Sequence, residues 1–82
     1  MPNQKKVIIY TAVWCPWCKR TKQFFDEHGV KYEERDIEKD PKNAEEVVEK
    51  SGQMGIPVTD IDGEIVVGFD KERLSELLGI RE

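Results

Sequence analysis

The two cysteines of this chain lie three positions apart, in Trp14-Cys15-Pro16-Trp17-Cys18, between an apolar run and a helix-forming stretch. No other feature limits the fold as strongly. Val7-Ile8-Ile9-Tyr10 leads in, a continuous apolar run of the kind found in a strand buried on both faces. Cys18 to His28 leads out with helical spacing. Cys18, Thr21, Phe25 and His28 form one stripe, widened by Phe24, while Lys19, Arg20, Lys22, Gln23, Asp26 and Glu27 cover the other sides. Cys15 falls near the N-cap, and Pro16 suits N1, where a missing N–H leaves no helical bond unmade. Gly29 is placed to end the helix at C′.

The rest of the chain alternates strand and helix signals. Residues 1–6 form a polar lead-in. Val30 with Lys31 to Asp36 reads as a strand near a sheet edge. Asp40 caps a second helix with Pro41 at N1, its inner stripe being Ala44, Val47, Val48 and Ser51, and Gly52 closes it. Gln53 to Ile56 is a loop. Pro57 opens a strand over Val58 to Ile61. Asp62-Gly63 is a hairpin signal, and Ile65-Val66-Val67 is the return strand. After Gly68-Phe69, Asp70 caps a last helix with Leu74, Leu77 and Leu78 inside and Gly79 at its end. The order is βαβαββα. A helical crossover makes the first two strands parallel, and the hairpin adds an antiparallel pair. The expected architecture is α/β, a mixed four-stranded sheet with three helices.

Size and charge narrow the function. The 82 residues suffice for a single domain, 1–82, with one small core. The charged fraction of 37% exceeds the roughly 25% of an average domain and predicts a soluble surface. A net charge of −4 argues against nucleic acid as a partner. No apolar run approaches the ~18 residues of a membrane span, and Val7–Tyr10 is too short for the core of a secretory signal. The expected compartment is the cytoplasm, where thiols stay reduced. A disulfide closing so small a loop would also stabilise little. Zinc would need two further ligands, and only His28 and carboxylates remain, so no metal is expected. His28 stands about 20 Å from Cys15 by helical rise and cannot act as its base; it reads as a helix-end residue beside the C-terminal dipole.

A redox-active dithiol is left. A thiolate, not a thiol, attacks a disulfide. Cys15 sits where the first helical N–H groups have no backbone partner and where the helix dipole favours an anion. Lys19, one turn on, is the residue expected to tune that sulfur toward its thiolate, with Arg20 and Lys22 nearby. Cys18, on the core-facing stripe, should be less exposed. The asymmetry assigns roles: Cys15 attacks a substrate disulfide, and Cys18 resolves the mixed disulfide. Trp14 and Trp17 flank the pair as candidate substrate contacts, and packing against the neighbouring strand is the other reading of Trp14.

Cys15-Pro16-Trp17-Cys18 resembles the Cys-Pro-Tyr-Cys site of glutaredoxins, in the thioredoxin superfamily. Gly55-Ile56-Pro57-Val58 is similar to their Thr-Val-Pro segment. Gly68-Phe69-Asp70 resembles their Gly-Gly-Tyr-Asp turn and the Ser-Gly-Phe turn of the glutaredoxin-like donors to ribonucleotide reductase. The likeness spans roughly residues 7–79 and is nearest to small bacterial and archaeal glutaredoxin-like proteins with a Gly-Gln-Met-Gly-(hydrophobic)-Pro-Val segment. It implies a thioredoxin-like fold, a cis bond before Pro57, and substrate contacts at Pro16, Ile56, Pro57, Gly68, Phe69 and Asp70. It also implies no bound cofactor, with glutathione as a possible co-substrate.

Three positions depart from the pattern. Ala12 replaces a lysine, Gly55 a threonine and Val67 a glycine around the pocket that holds glutathione in the family. Ala12-Val13-Trp14-Cys15 is closer to the Ala-Glu-Trp-Cys of thioredoxins, whose buried aspartate, expected near Ile9, is absent here. The reading that follows is a monomeric electron carrier for protein disulfides, re-reduced by a thioredoxin-reductase-like flavoprotein. The alternatives are a glutathione-dependent enzyme that deglutathionylates proteins and a dimer binding an iron–sulfur cluster.

Overall fold

The computed structural model describes residues 5–53 and 55–80. Expectations for the first four residues, and for Met54 in the loop before Pro57, lie outside the described residues. The elements are β1 (Val7–Thr11), α1 (Pro16–Glu27), β2 (Glu33–Asp36), α2 (Pro41–Ser51), β3 (Val58–Ile61), β4 (Glu64–Val67) and α3 (Lys71–Leu78). This is the βαβαββα order read from the sequence.

The sheet runs β2-β1-β3-β4. β1 pairs parallel with β2, Ile9 opposite Glu34, and antiparallel with β3, Ile9 opposite Thr59. β3 and β4 form the predicted hairpin. Its turn puts both Asp62 (φ 50°) and Gly63 (φ 93°) in the left-handed region, the requirement that favours Asp-Gly in two-residue hairpins. The Asp62 carboxylate and backbone N–H also bond Lys6 across the end of β1, at 2.9 and 3.0 Å.

β1 is central, and alternate residues serve different layers. Val7 and Ile9 pack with Phe24 and Phe25 of α1, Ile61, Val66 and Leu74 of α3. Ile8 and Tyr10 point the other way, toward Val47 of α2 and Val58. Burial on both faces explains why Val7–Tyr10 is apolar throughout.

His28 stands at the end of α1, as read, exposed at the C-cap with its ring 4.8 Å from that of Phe24. The predicted stripe of α2 shifts. In α2 only Val47 is buried, and Val48 is 45% exposed. The cause is polar. Glu46 accepts from the Tyr10 hydroxyl at 2.5 Å, and Lys50 donates to that hydroxyl at 2.8 Å and to Asp60 at 2.6 Å. These bonds turn the Glu46/Lys50 side of α2 toward the sheet and Val48 toward solvent. Asp60, without a role in the sequence reading, is the far end of this network. Among the described residues no helix is long and apolar enough to cross a membrane.

Candidate active site

The dithiol sits where β1 ends and α1 begins. A turn closed by the Cys15 N–H on the Ala12 carbonyl, at 3.1 Å, delivers Cys15 to the N-cap. Pro16 occupies N1, as its fixed φ and missing N–H allow. The Cys18 backbone N–H then donates to Cys15 Sγ at 3.1 Å. The sulfur thus takes the position usually held by a capping oxygen. A helix N-terminal donor aimed at sulfur stabilises an anion there.

Both sulfurs are reduced in this structure, and both residues are buried: Cys15 is 4% exposed and Cys18 1%. The difference expected between them is therefore small in surface terms. It lies instead in chemistry. Burial pushes the Cys18 thiol up to about 12, with help from its hydrogen bond to Cys15. Cys18 is a thiol facing inward, its sulfur 4.0 Å from the Tyr10 carbonyl oxygen. Ala12 and both cysteines pack with Ile37 and Ile56.

Beside the pair lies a groove of about 250 Å³ lined by Trp17, Ile56, Pro57, Gly68 and Phe69. These are five of the eight residues expected to contact substrate, drawn from three separate parts of the chain. The Ile56–Pro57 bond is cis. Gly68, at φ 77°, sends its N–H back to the Pro57 carbonyl at 2.8 Å, which joins the two walls. That φ is why a glycine stands at this turn. Trp17 is 59% exposed and stacks on Phe69.

The other expected contacts stand apart from this groove. Trp14 is 62% exposed, so the alternative of packing against the neighbouring strand does not hold. Pro16 is exposed on the first turn of α1. Asp70 caps α3, accepting from the Arg73 N–H at 3.1 Å, and lines a separate hollow with Val67 and Phe69. Lys19 is exposed, its backbone N–H on the Cys15 carbonyl at 3.3 Å. A different cation is held fast. Lys22 donates to Glu34 at 2.9 Å, and the same carboxylate oxygen accepts from Thr11 at 2.7 Å. Nothing local in β2 singles out Glu34, because no signal there shows that the Lys22 side of α1 reaches over it.

The glutaredoxin family model matches residues 7–66. The chain belongs to the glutaredoxin family. It is 39% identical over 70 residues to a glutaredoxin-like 8.6 kDa protein of the rubredoxin operon of Clostridium pasteurianum, covering 85% of this chain and 93% of that one. The glutaredoxin of Archaeoglobus fulgidus is similar in structure, with a TM-score of 0.82 at 34% identity over 92% of this chain and 87% of the other. A glutaredoxin-like protein of Escherichia coli, NrdH-redoxin, described as having a thioredoxin-like activity profile, superposes with a TM-score of 0.77 at 25% identity. It is matched over 88% of this chain and 93% of its own. The fold is thioredoxin-like, and the family activity, thiol–disulfide oxidoreduction, belongs to this chain.

Proposed function

We propose that the protein carries electrons to protein disulfides through a Cys15/Cys18 dithiol–disulfide cycle and is re-reduced by a flavoprotein disulfide reductase. Cys15 attacks one sulfur of the substrate disulfide. The bond between the substrate sulfurs breaks, and one leaves as a thiolate. Cys18 then attacks Cys15, frees the second substrate thiol and leaves the Cys15–Cys18 disulfide. Two electrons pass from the protein to the substrate.

One observation carries the choice of donor. The groove beside the dithiol is walled by apolar and aromatic groups, and Ala12, Gly55 and Val67 bring no cation or hydroxyl to it. Glutathione has two carboxylates and an ammonium, which such walls would strip of water without replacing the lost hydrogen bonds. A protein segment with an apolar side chain beside its disulfide fits better. The thioredoxin-like profile described for NrdH-redoxin points the same way.

The test compares two coupled assays on one protein disulfide. One regenerates the protein with NADPH and a thioredoxin-type reductase, the other with glutathione and its reductase. Fast turnover in the first and slow turnover in the second is expected. Efficient exchange with glutathione at millimolar concentration would overturn the choice of donor and favour the deglutathionylating reading.

A further inference from the structure

Resolution makes a demand that the resting dithiol does not meet. Cys18 has to lose its proton before it can attack, yet burial and the adjacent Cys15 sulfur hold it as a thiol. Once Cys15 is joined to substrate no thiolate can form beside Cys18, and of the effects that raise Cys18 only burial remains. Two groups favour it: the backbone amide of Ala12 and the ammonium of Lys22.

Lys22 follows Cys18 by four residues on α1, the spacing that sets side chains about 5–6 Å apart on one helix face. It is tied down rather than free to swing. Its Nζ lies 2.9 Å from Glu34 on β2, and that carboxylate is fixed in turn by the hydroxyl of Thr11, 1% exposed on β1. The clamp spans three elements on the sheet face that carries α1. Among the described residues, the titratable groups that act on Cys18, Lys22 and Glu34 include Cys15 at the N-cap, Tyr32 and Asp36, with Asp26 acting on Tyr32. β1 presents to Cys18 the Tyr10 carbonyl, while the Tyr10 phenol turns toward α2.

We propose that Lys22, clamped by Glu34 and Thr11, is a positioning residue for the resolving step, its ammonium favouring the Cys18 thiolate once Cys15 is joined to substrate. This rests on the reading of Cys15 as the attacking and Cys18 as the resolving sulfur. In the step, Cys18 gives its proton to water and its sulfur bonds to Cys15 Sγ. The bond from Cys15 to substrate breaks, and the substrate thiolate takes up a proton. The cysteine pair is oxidised and the substrate reduced by two electrons.

Rapid mixing of reduced protein with one equivalent of dithiobis(nitrobenzoate) separates the two steps. Attack by Cys15 releases the first coloured thiolate, and resolution by Cys18 releases the second. In Lys22→Met the second phase slows about fivefold at pH 7 and its pH profile moves to the alkaline side, with the first phase unchanged. Lys22→Arg restores both rate and profile. An unaltered second phase in Lys22→Met, or equal slowing of both phases, overturns the proposal. The underlying assignment has its own control: Cys18→Ser shows the first phase alone, and a second phase in that variant would remove the resolving role itself, whatever Lys22 does.

Discussion

The rings of Trp17 and Phe69 stack with centroids 6.2 Å apart and 28° between their planes. Trp17 comes from the turn between the cysteines, and Phe69 from the connection between β4 and α3. Phe24, with its ring 5.9 Å from that of Phe69, supports the pair from below. Trp17→Ala removes one wall of the groove and leaves the core in place. Its KM for a protein disulfide should rise about three- to tenfold, in line with the roughly 0.5–1.5 kcal/mol of an aromatic pair. Its thermal midpoint should stay within a few degrees. Steady-state kinetics with a calorimetric scan check both, and an unchanged KM would remove Trp17 from the substrate surface.

Alkylation distinguishes the cysteines. With Cys18 pushed up to about 12 by burial and by Cys15, its thiolate is scarce at neutral pH. Brief treatment of the reduced protein with iodoacetamide at pH 7 should modify Cys15 alone. Peptide mass spectrometry reads the site, and preferential labelling of Cys18 would reverse the assigned roles.

Acid should weaken the fold through two glutamates. The Lys22 hydrogen bond holds Glu34 below its ordinary value of 4.5, and the Tyr10 hydroxyl does the same for Glu46, with Arg35 adding to it. For a carboxyl depressed in the folded state, the unfolded chain binds the proton first. The stabilisation is full above about pH 5 and is lost as pH falls through the folded value. Solvent screening limits each partly exposed pair to about 1 kcal/mol or less. Urea unfolding from pH 6 to pH 3 should show the decline, and Glu34→Gln with Glu46→Gln should reduce it, the remainder coming from Asp60, which, against the opposing effect of burial, its bonds to Lys50 and Gly63 also hold below the ordinary value.

Adjacent valines of α2 should behave differently. Val47 is fully buried against Tyr10 and Val58, and Val47→Ala should cost about 2 kcal/mol. Val48 is 45% exposed, and Val48→Ala should fall within about 0.5 kcal/mol of the parent. Denaturant midpoints decide. Equal losses would mean that α2 packs on the stripe that its apolar residues suggest.

The elements and their order were readable in the sequence because each carries its own local signal. Pro16 and Pro41 at N1, Asp40 and Asp70 as caps, Asp62-Gly63 at the hairpin and the burial of β1 on both faces all act over a few residues. Apart from Trp17, marked by its place between the cysteines, the groove was legible only through family resemblance, since Pro57 and Phe69 are distant in the chain and no periodicity connects them. The Tyr10–Glu46–Lys50–Asp60 network and the Lys22–Glu34–Thr11 clamp were not legible at all. Each joins a buried hydroxyl of β1 to charged residues that, taken singly, resemble ordinary solvated surface. Only the sheet order and register bring them together. The rotation of α2 is the result: its apolar pattern points to Val48, and the cross-sheet polar bonds override it.

The strand order has a colloidal consequence. β2 is an edge of the sheet, and an edge strand offers unpaired backbone groups to any other chain with a free strand. Here the edge is Glu33-Glu34-Arg35-Asp36, charged at every position, with Glu34 and Arg35 committed to ion pairs on opposite faces. A second copy docking edge to edge would bring like carboxylates together and disturb both sets of pairs. The ion pairs that tie Glu34 to α1 and Arg35 to α2 therefore also make this edge a poor template for a second strand.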